Sequence, residues 1–443
     1  MRDFLSKTAH LNRSIVSPDF EKTLEIINER IPLAIHKYKS GSACFDWVPP
    51  KKWIIRDAFI KDENGKKVVD WKNHPLHVVI GSLPIKKRIT KEELLGKIYV
   101  SEAHPDAIPY VFKFYELDWG FCMTKAQRDA LRGDFFEVLI DAEYQSGDLL
   151  VGEHVIPGES DECVMLIAHI DHPAQVNDGL AGAAALLKLA EELKGTKPAY
   201  TLKFQFLAER IGSIAYLANN PKMIPKIKGG IFCEMPGTKD YPLALQYSKW
   251  GDTRLDRIAK HVLSKGGEKF ITAPCFKHVI NDDGFYNSPG IDLPMISLSR
   301  CQALTPELRY HFPYYHTSKD DLDHFDFAGA ERYLGAVRET IAILNADKKI
   351  IRKYAGVPFL SKHKLWVDYR KEPKLHAAVE FILYNLDNKN SIFDLADKCG
   401  ADFWEVHGFI TKLQDAGLVE LTTTSDIWFS EENPFEKLSS RSF

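Results

Sequence analysis

Two histidines and two aspartates, His169, Asp171, His172 and Asp178, fall within ten positions of the segment HIDHPAQVNDGLAG (169–182). Imidazole and carboxylate at this density are the groups that hold a divalent metal. A plainer alternative is a polar turn in which Asn177 or Asp178 caps the following helix; that explains one carboxylate and not four metal-type side chains together. More such groups follow apolar runs downstream: Glu209 with Arg210 after TLKFQFLA, Glu234 after GGIFC, and His316 in YYHTSKDDLD. A hydrolytic metal needs three such ligands, an open position for water and a carboxylate base nearby, and all the parts are present.

The elements around these residues would bring them together. CVMLIAHI (163–170) is a short apolar run of the kind that fills a buried strand, and GLAGAAALLKLAEELKG has the apolar spacing of a helix that stops at Gly195. Strand, loop and helix in this order put His169, Asp171, His172 and Asp178 at the C-terminal end of a central strand, where open α/β sheets place their ligands. From residue 201 strands alternate with helices through a final helix over 328–346, which predicts a mixed central sheet sandwiched by helices. Upstream, Ser17 and Pro18 open a helix with Phe20, Leu24, Ile27 and Ile31 on one face, and KWIIRDAFIKDENGKKVVDW reads as two strands around Glu63, Asn64 and Gly65. The expected organisation is an α/β domain of 1–55 plus 134–350, an inserted β-rich domain at 56–133, and a domain at 355–443 that reads helix, turn, helix, two-stranded hairpin, the pattern of a winged helix.

Composition excludes several classes. A chain of 443 residues, 45% hydrophobic and 27% charged without low-complexity tracts, folds into two or three domains. A net charge of −3 gives no global attraction for nucleic acid or an anionic membrane. With no stretch of 18 apolar residues and no signal-peptide core, a soluble cytoplasmic protein is expected. The seven scattered cysteines form no CxxC pair, which argues against a disulfide framework and a cysteine zinc knuckle. In the tail, the second helix (402–417) holds Asp402, Glu405 and Asp415 against Lys412, so an interaction module is expected there and not a DNA reader.

In HID, NDGLAG, AER, CEM and YYHTS the sequence resembles the co-catalytic zinc aminopeptidases. Through FDWVPPKKWIIRDAFI, PDAIPYVFKFYELDWGFC and FYNSPGIDLPMISLSR it is similar, over nearly the whole chain, to bacterial polysaccharide-biosynthesis proteins with an aminopeptidase-like domain. The resemblance implies that His169, Asp178 and Glu234 hold one metal, that Asp178 can bridge, and that His316 belongs to a second. It also implies that Asp171 orients His169 and that Glu209 is the general base in hydrolysis of an amide, on a peptide or on an acylamino or aminoacyl group of a metabolite.

One departure matters. Arg210 stands where the second carboxylate of the acidic pair is expected, and a cation repels a metal. One zinc per chain is therefore expected, with the second site weak or absent and His316 either completing the single site or touching substrate; manganese, iron or cobalt would suit the same ligands. Arg210, His311 and Tyr315 are expected to contact substrate. His172 either replaces a ligand or caps the loop, and Glu234 could instead be a buried acid paired with Arg210. The expected partners are a small peptide or acylamino metabolite and a second copy of the chain through the insertion or the winged helix, with neither nucleic acid nor membrane. A reading from another class is a non-catalytic protein that keeps the peptidase fold as a scaffold in surface-polysaccharide biosynthesis.

Overall fold

Each of Cys163 to Ala168 has no exposed surface, as expected of a strand covered on both faces, and this strand, Ser160–His169, is the one from which the site is built. In the computed structural model, which describes residues 1–302, 305, 310–424, 428 and 429, it lies inside an eight-stranded sheet. The order across the sheet is Ala34–Lys39, Asp148–Ile156, Tyr200–Leu207, Ser160–His169, Ile227–Cys233, Met295–Arg300, Leu243–Gln246, Phe270–Ala273. The four middle strands are parallel, and antiparallel pairing begins on either side, so the sheet is mixed as expected.

After His169 the chain passes through the helix Leu180–Glu192 to the strand on one side, and after the helix Ile211–Asn219 it enters the strand on the other side. Strand order reverses there, which leaves a crevice beyond the carboxyl ends. His169 closes its strand, Glu209 follows Leu207 by two residues, and Glu234 follows Cys233 directly. The small residues after Asp178 have a packing reason: a Cβ on Gly182 would stand 2.0 Å from the carbonyl oxygen of Cys233, so only glycine lets the helix approach this strand.

The chain divides into two compact units, Met1–Lys249 with Ile271–Leu334, and Trp250–Phe270 with Gly335–Phe443. The first unit also contains a four-stranded antiparallel sheet in the order Lys67–Asp70, Lys52–Lys61, Phe135–Gln145, Ile85–Thr90. Its long strands reach past both ends of the expected 56–133 insertion, because Trp53, Phe136, Val138 and Ile140 are buried in its core with Ile60 and Phe121. The helix Pro18–Asn28 starts where the sequence places it, with the Ser17 hydroxyl accepting from the Phe20 amide at 3.2 Å and Phe20, Leu24 and Ile27 buried.

The second unit holds the helices Arg254–Lys265, Pro373–Asn385, Ile392–Cys399 and Phe403–Asp415. Arg254 and Asp347 form a fully buried ion pair at 2.5 Å inside it. Val419–Thr422 pairs antiparallel with Lys349–Arg352, a strand from before the helices. The second strand of the expected hairpin falls partly on residues 425–427 and 430–443, outside the described residues. Among the described residues no helix is long and apolar enough to cross a membrane, and all seven cysteines are free.

One buried charge in the sheet gives a stability prediction. Glu153 is 5% exposed and accepts from Lys203 Nζ at 2.8 Å and Gln205 Nε2 at 2.9 Å, with His36 Nε2 at 3.6 Å. Burial alone would raise its pKa, but the contacts with His36, Lys203 and Gln205 hold it down at about 2. The folded value lies below the unfolded one, so the stabilisation is present above about pH 4.5 and is lost as pH falls toward 2. The loss should be on the order of 3 kcal/mol for the wild type. Glu153→Gln should flatten that part of the acid-unfolding curve, and an unchanged slope in a denaturant series from pH 5 to 2 would remove Glu153 from the account.

Candidate metal centre

Asp178 stands at the centre of the cluster, and its position in the chain shows that it is not a helix cap. The N-cap of Leu180–Glu192 is Gly179, at φ 85°, and no side chain caps the helix. A Cβ on Gly179 would stand 2.3 Å from the His169 ring, so this glycine lets the turn close over the histidine. The Asp178 carboxylate faces three imidazoles: His316 Nε2 at 2.9 Å, His169 Nε2 at 3.5 Å and His172 Nδ1 at 3.9 Å. Ligand atoms of His172, Asp178 and His316 lie within 4.8 Å of one another, and so do those of His169, Asp171 and His172.

These atoms are short of hydrogen-bond partners. Both ring nitrogens of His169, Nδ1 of His172, Nε2 of His316 and Oδ2 of Asp178 are buried and make no hydrogen bond. Buried polar atoms of native proteins are nearly always hydrogen-bonded, and unbonded imidazole nitrogens of His169, His172 and His316 around one carboxylate fit a cation held between them. Nitrogen and carboxylate oxygen without sulfur are a donor set that suits zinc, and also manganese, iron or cobalt.

The charge balance points the same way. Burial would raise the Asp178 pKa, yet His172, His169 and His316 hold it well below the usual carboxylate range. Burial likewise opposes charge on His172, but Asp178, Glu209 and Asp171 together push it up to about 10. Glu209, raised by burial, is pulled down to about 2 by His172, His169 and Arg210. Positive charge is wanted at this centre.

The groups that hold the loop in place come from distant parts of the chain. Asp320 accepts from the amides of Asn177 at 2.8 Å and Asp178 at 2.9 Å, and burial raises its pKa to about 7. Asn177 donates to Thr238 Oγ1 at 2.6 Å and accepts from the Gly237 amide at 2.8 Å. Arg13, with no exposed surface, donates to the carbonyls of Ile170, His172 and Gln175. Asp171 accepts from the Glu209 amide at 2.8 Å, so its hydrogen bond positions Glu209, while His169 Nδ1 has no partner. Sequence reading assigned no part to Arg13 or Asp320; the second lies in the quoted YYHTSKDDLD, where the acidic pair was the available signal.

Of the other residues singled out in the sequence, Glu234 is buried but stands apart from both ligand groups. It accepts from Asn281 at 3.2 Å and Ser297 at 3.4 Å. Burial, with Asp178, Asp283 and Glu209 nearby, raises its pKa well above the usual range. Arg210 does not enter the cluster: its Nε lies 3.3 Å from Glu209 Oε1, and its guanidinium donates to the Ile280 carbonyl at 2.7 Å. Tyr315 stacks on His316 at 3.9 Å, and His311 packs edge-on against Tyr315 at 5.1 Å. A cleft of about 420 Å³ opens beside the cluster, with Asp171, His172, Glu209, Arg210, Tyr315 and His316 in its wall. Tyr110, Phe112 and Phe114 line it too, Tyr110 packing edge-on against His172 and His316.

The fold has counterparts among known proteins. Residues 2–347 match the family described as Domain of unknown function (DUF4910). A Clostridium acetobutylicum relative, named a polysaccharide biosynthesis protein with aminopeptidase-like domain, is 35% identical over 401 residues, 88% of this chain and 89% of its own. The crystal structure of a C. acetobutylicum protein described as a peptidase superposes with a TM-score of 0.87 at 32% identity, covering 95% of each chain. A zinc aminopeptidase from Bacillus subtilis shares the fold, with a TM-score of 0.55 at 14% identity over 77% of this chain and 94% of its own. The aminopeptidase fold, the match over residues 2–347 and the full-length relative agree: this chain belongs to the DUF4910 family of proteins with an aminopeptidase-like domain.

Proposed function

We propose that the protein is a metal-dependent amide hydrolase, acting on a peptide or on an acylamino or aminoacyl group of a metabolite, with one zinc ion in the cluster around Asp178. The observation that carries this reading is the set of buried, unpartnered ring nitrogens of His169, His172 and His316 around one carboxylate. When bound, the ion supplies Lewis acidity, polarising an amide carbonyl and bringing the pKa of water toward about 7.

The chain's own residues supply the rest. His169, Asp178 and His316 hold the ion in this reading. Glu209 is a quarter exposed at the cleft, with its amide fixed by Asp171, so its carboxylate is positioned to take a proton from water and pass it to the leaving amine. Arg210, 44% exposed in the same wall, is available to a substrate carboxylate or phosphate. Tyr110, Phe112 and Phe114 exclude water from one side of the cleft. Glu234, outside the ligand groups, keeps the role of a buried acid that a bound cation would ionise.

Elemental analysis of the purified protein, followed by a screen of aminoacyl and N-acyl amides, tests the reading. About one divalent ion per chain and amide turnover abolished by chelation are expected. Protein that takes up no metal after zinc loading would remove the hydrolase and favour the scaffold in surface-polysaccharide biosynthesis. Two tight ions would show that Arg210 leaves the second site intact.

A further inference from the structure

His172 lies in the turn after the strand, and the surroundings of its ring decide whether it is a loop residue or a member of the cluster. It is 4% exposed. Its two nitrogens have different surroundings: Nε2 lies 3.2 Å from Glu209 Oε2, whereas Nδ1 makes no hydrogen bond and faces Asp178 Oδ1 at 3.9 Å. A loop-capping histidine would give one nitrogen to a backbone group. The backbone here is held by another residue, because Arg13 donates to the His172 carbonyl at 2.5 Å.

The spacing is compatible with coordination. Ligand atoms on a tetrahedral zinc with bonds of about 2.0–2.1 Å stand roughly 3.3 Å apart. His316 Nε2 lies 2.9 Å from Asp178 Oδ2 and His172 Nδ1 lies 3.9 Å from Oδ1, on either side of that value, and one ligand atom from each of the three residues falls within 4.8 Å of the others. The rings of His172 and His316 lie 5.4 Å apart, tilted by 37°. Arg210 contributes no ligand to this side, being turned to Glu209 and Ile280.

We infer that His172 is a further ligand of the ion through Nδ1, beside His169, Asp178 and His316, and that it gives its Nε2 proton to Glu209. The inference rests on the metal reading above and adds to it. A carboxylate that accepts from the far nitrogen of a ligating imidazole fixes its tautomer and makes it a better donor. Glu209 would then be joined to the ion through His172 by one oxygen, while Oε1, toward Arg210 and the cleft, remains for the proton of water. The base and the metal site would be coupled parts, and losing either should be felt at the other.

The test compares wild type, His172→Ala, His172→Gln and Glu209→Gln, each checked for folding by circular dichroism and thermal melting. Zinc affinity is measured by competition with a chelator, cobalt(II) substitution is followed by visible absorption, and zinc X-ray absorption counts imidazoles. The expected results are a 10- to 100-fold or greater loss of zinc affinity in both His172 variants, one imidazole fewer in His172→Gln, and an altered cobalt spectrum. Glu209→Gln should weaken zinc by a smaller factor. His172 variants that bind zinc within threefold of wild type, with an unchanged cobalt spectrum and imidazole count, would overturn this inference and leave the hydrolase reading standing. Wild-type protein that takes up neither zinc nor cobalt would overturn both. If His172→Ala misfolds, the imidazole count of wild type against His172→Gln still decides.

Discussion

Glu209→Gln is expected to keep the metal and lose turnover by about 10²-fold or more, the usual share of a positioned general base. The substitution preserves volume and leaves the backbone amide of residue 209 free to donate to Asp171, so that hydrogen bond and the folded loop should survive. What it removes is basicity and charge. Glutamate has one oxygen on His172 Nε2 and the other near Arg210 Nε, both donors. Glutamine can satisfy only one of them and presents its NH2 group to the other. The predicted pattern is therefore a fall in kcat with little change in KM for neutral amides, together with a metal content near that of wild type. His169→Ala should behave in the opposite way, losing metal first. Turnover of Glu209→Gln within a few-fold of wild type would take Glu209 out of the mechanism, and equal loss of metal in both variants would make it structural.

The parts of this arrangement that were legible in the sequence are those that short-range patterns encode. CVMLIAHI is a short apolar run of the kind that fills a buried strand, and it is one. His169, near its end, was thereby placed at the carboxyl end of a strand, and Glu209 and Glu234 followed by the same argument. What could not be read was where each side chain turns after its strand ends. Glu234 turns toward Asn281 and Ser297, and neither amide nor hydroxyl side chain announces itself as its partner. Arg210 adopts φ 61° and turns its guanidinium out to Ile280, so a residue that looked like a cation inside the cluster is half exposed in the cleft. The reach of the four-stranded sheet was hidden for a related reason: Phe135–Gln145 runs almost directly into Asp148–Ile156, and nothing local says that the first of these strands belongs to one sheet and the second to another. The tail shows the same limit, since Val419–Thr422 finds its partner about 70 residues upstream, in Lys349–Arg352.

Arg13 was the least legible residue and should be among the most sensitive. Nothing in HLNRS marks an arginine that will be fully buried. Its guanidinium donates to Ile170 O at 2.8 Å, Thr8 O at 2.5 Å, His172 O at 2.5 Å and Gln175 O at 2.8 Å. Burial lowers its pKa to about 10, with Asp171 the main opposing influence, so it stays charged across the physiological range. One planar cation thus ties the amino-terminal segment to both ends of the turn that carries Asp171 and His172. In Arg13→Met the Thr8 and His172 carbonyls keep the amides of Leu11 and Gln175, whereas those of Ile170 and Gln175 lose the Arg13 donor, at about 1–3 kcal/mol each, so a loss of about 2–6 kcal/mol is expected. For a unit of this size that corresponds to a fall in Tm of roughly 3–9 °C. Arg13→Lys keeps the charge but offers three donors from one point in place of a planar fork, and should fall between the two. Arg30→Met is the control: Arg30 holds Glu191 at 2.7 Å near the surface, and removing such an exposed pair should cost under about 1 kcal/mol. The readout specific to the site is the rise in Tm on zinc addition. In wild type, zinc should raise Tm by binding only the folded loop. In Arg13→Met the rise should shrink, because part of the binding energy must first order residues 170–175. A Tm within 2 °C of wild type, or an undiminished zinc-induced rise, would mean that the loop holds its shape without Arg13.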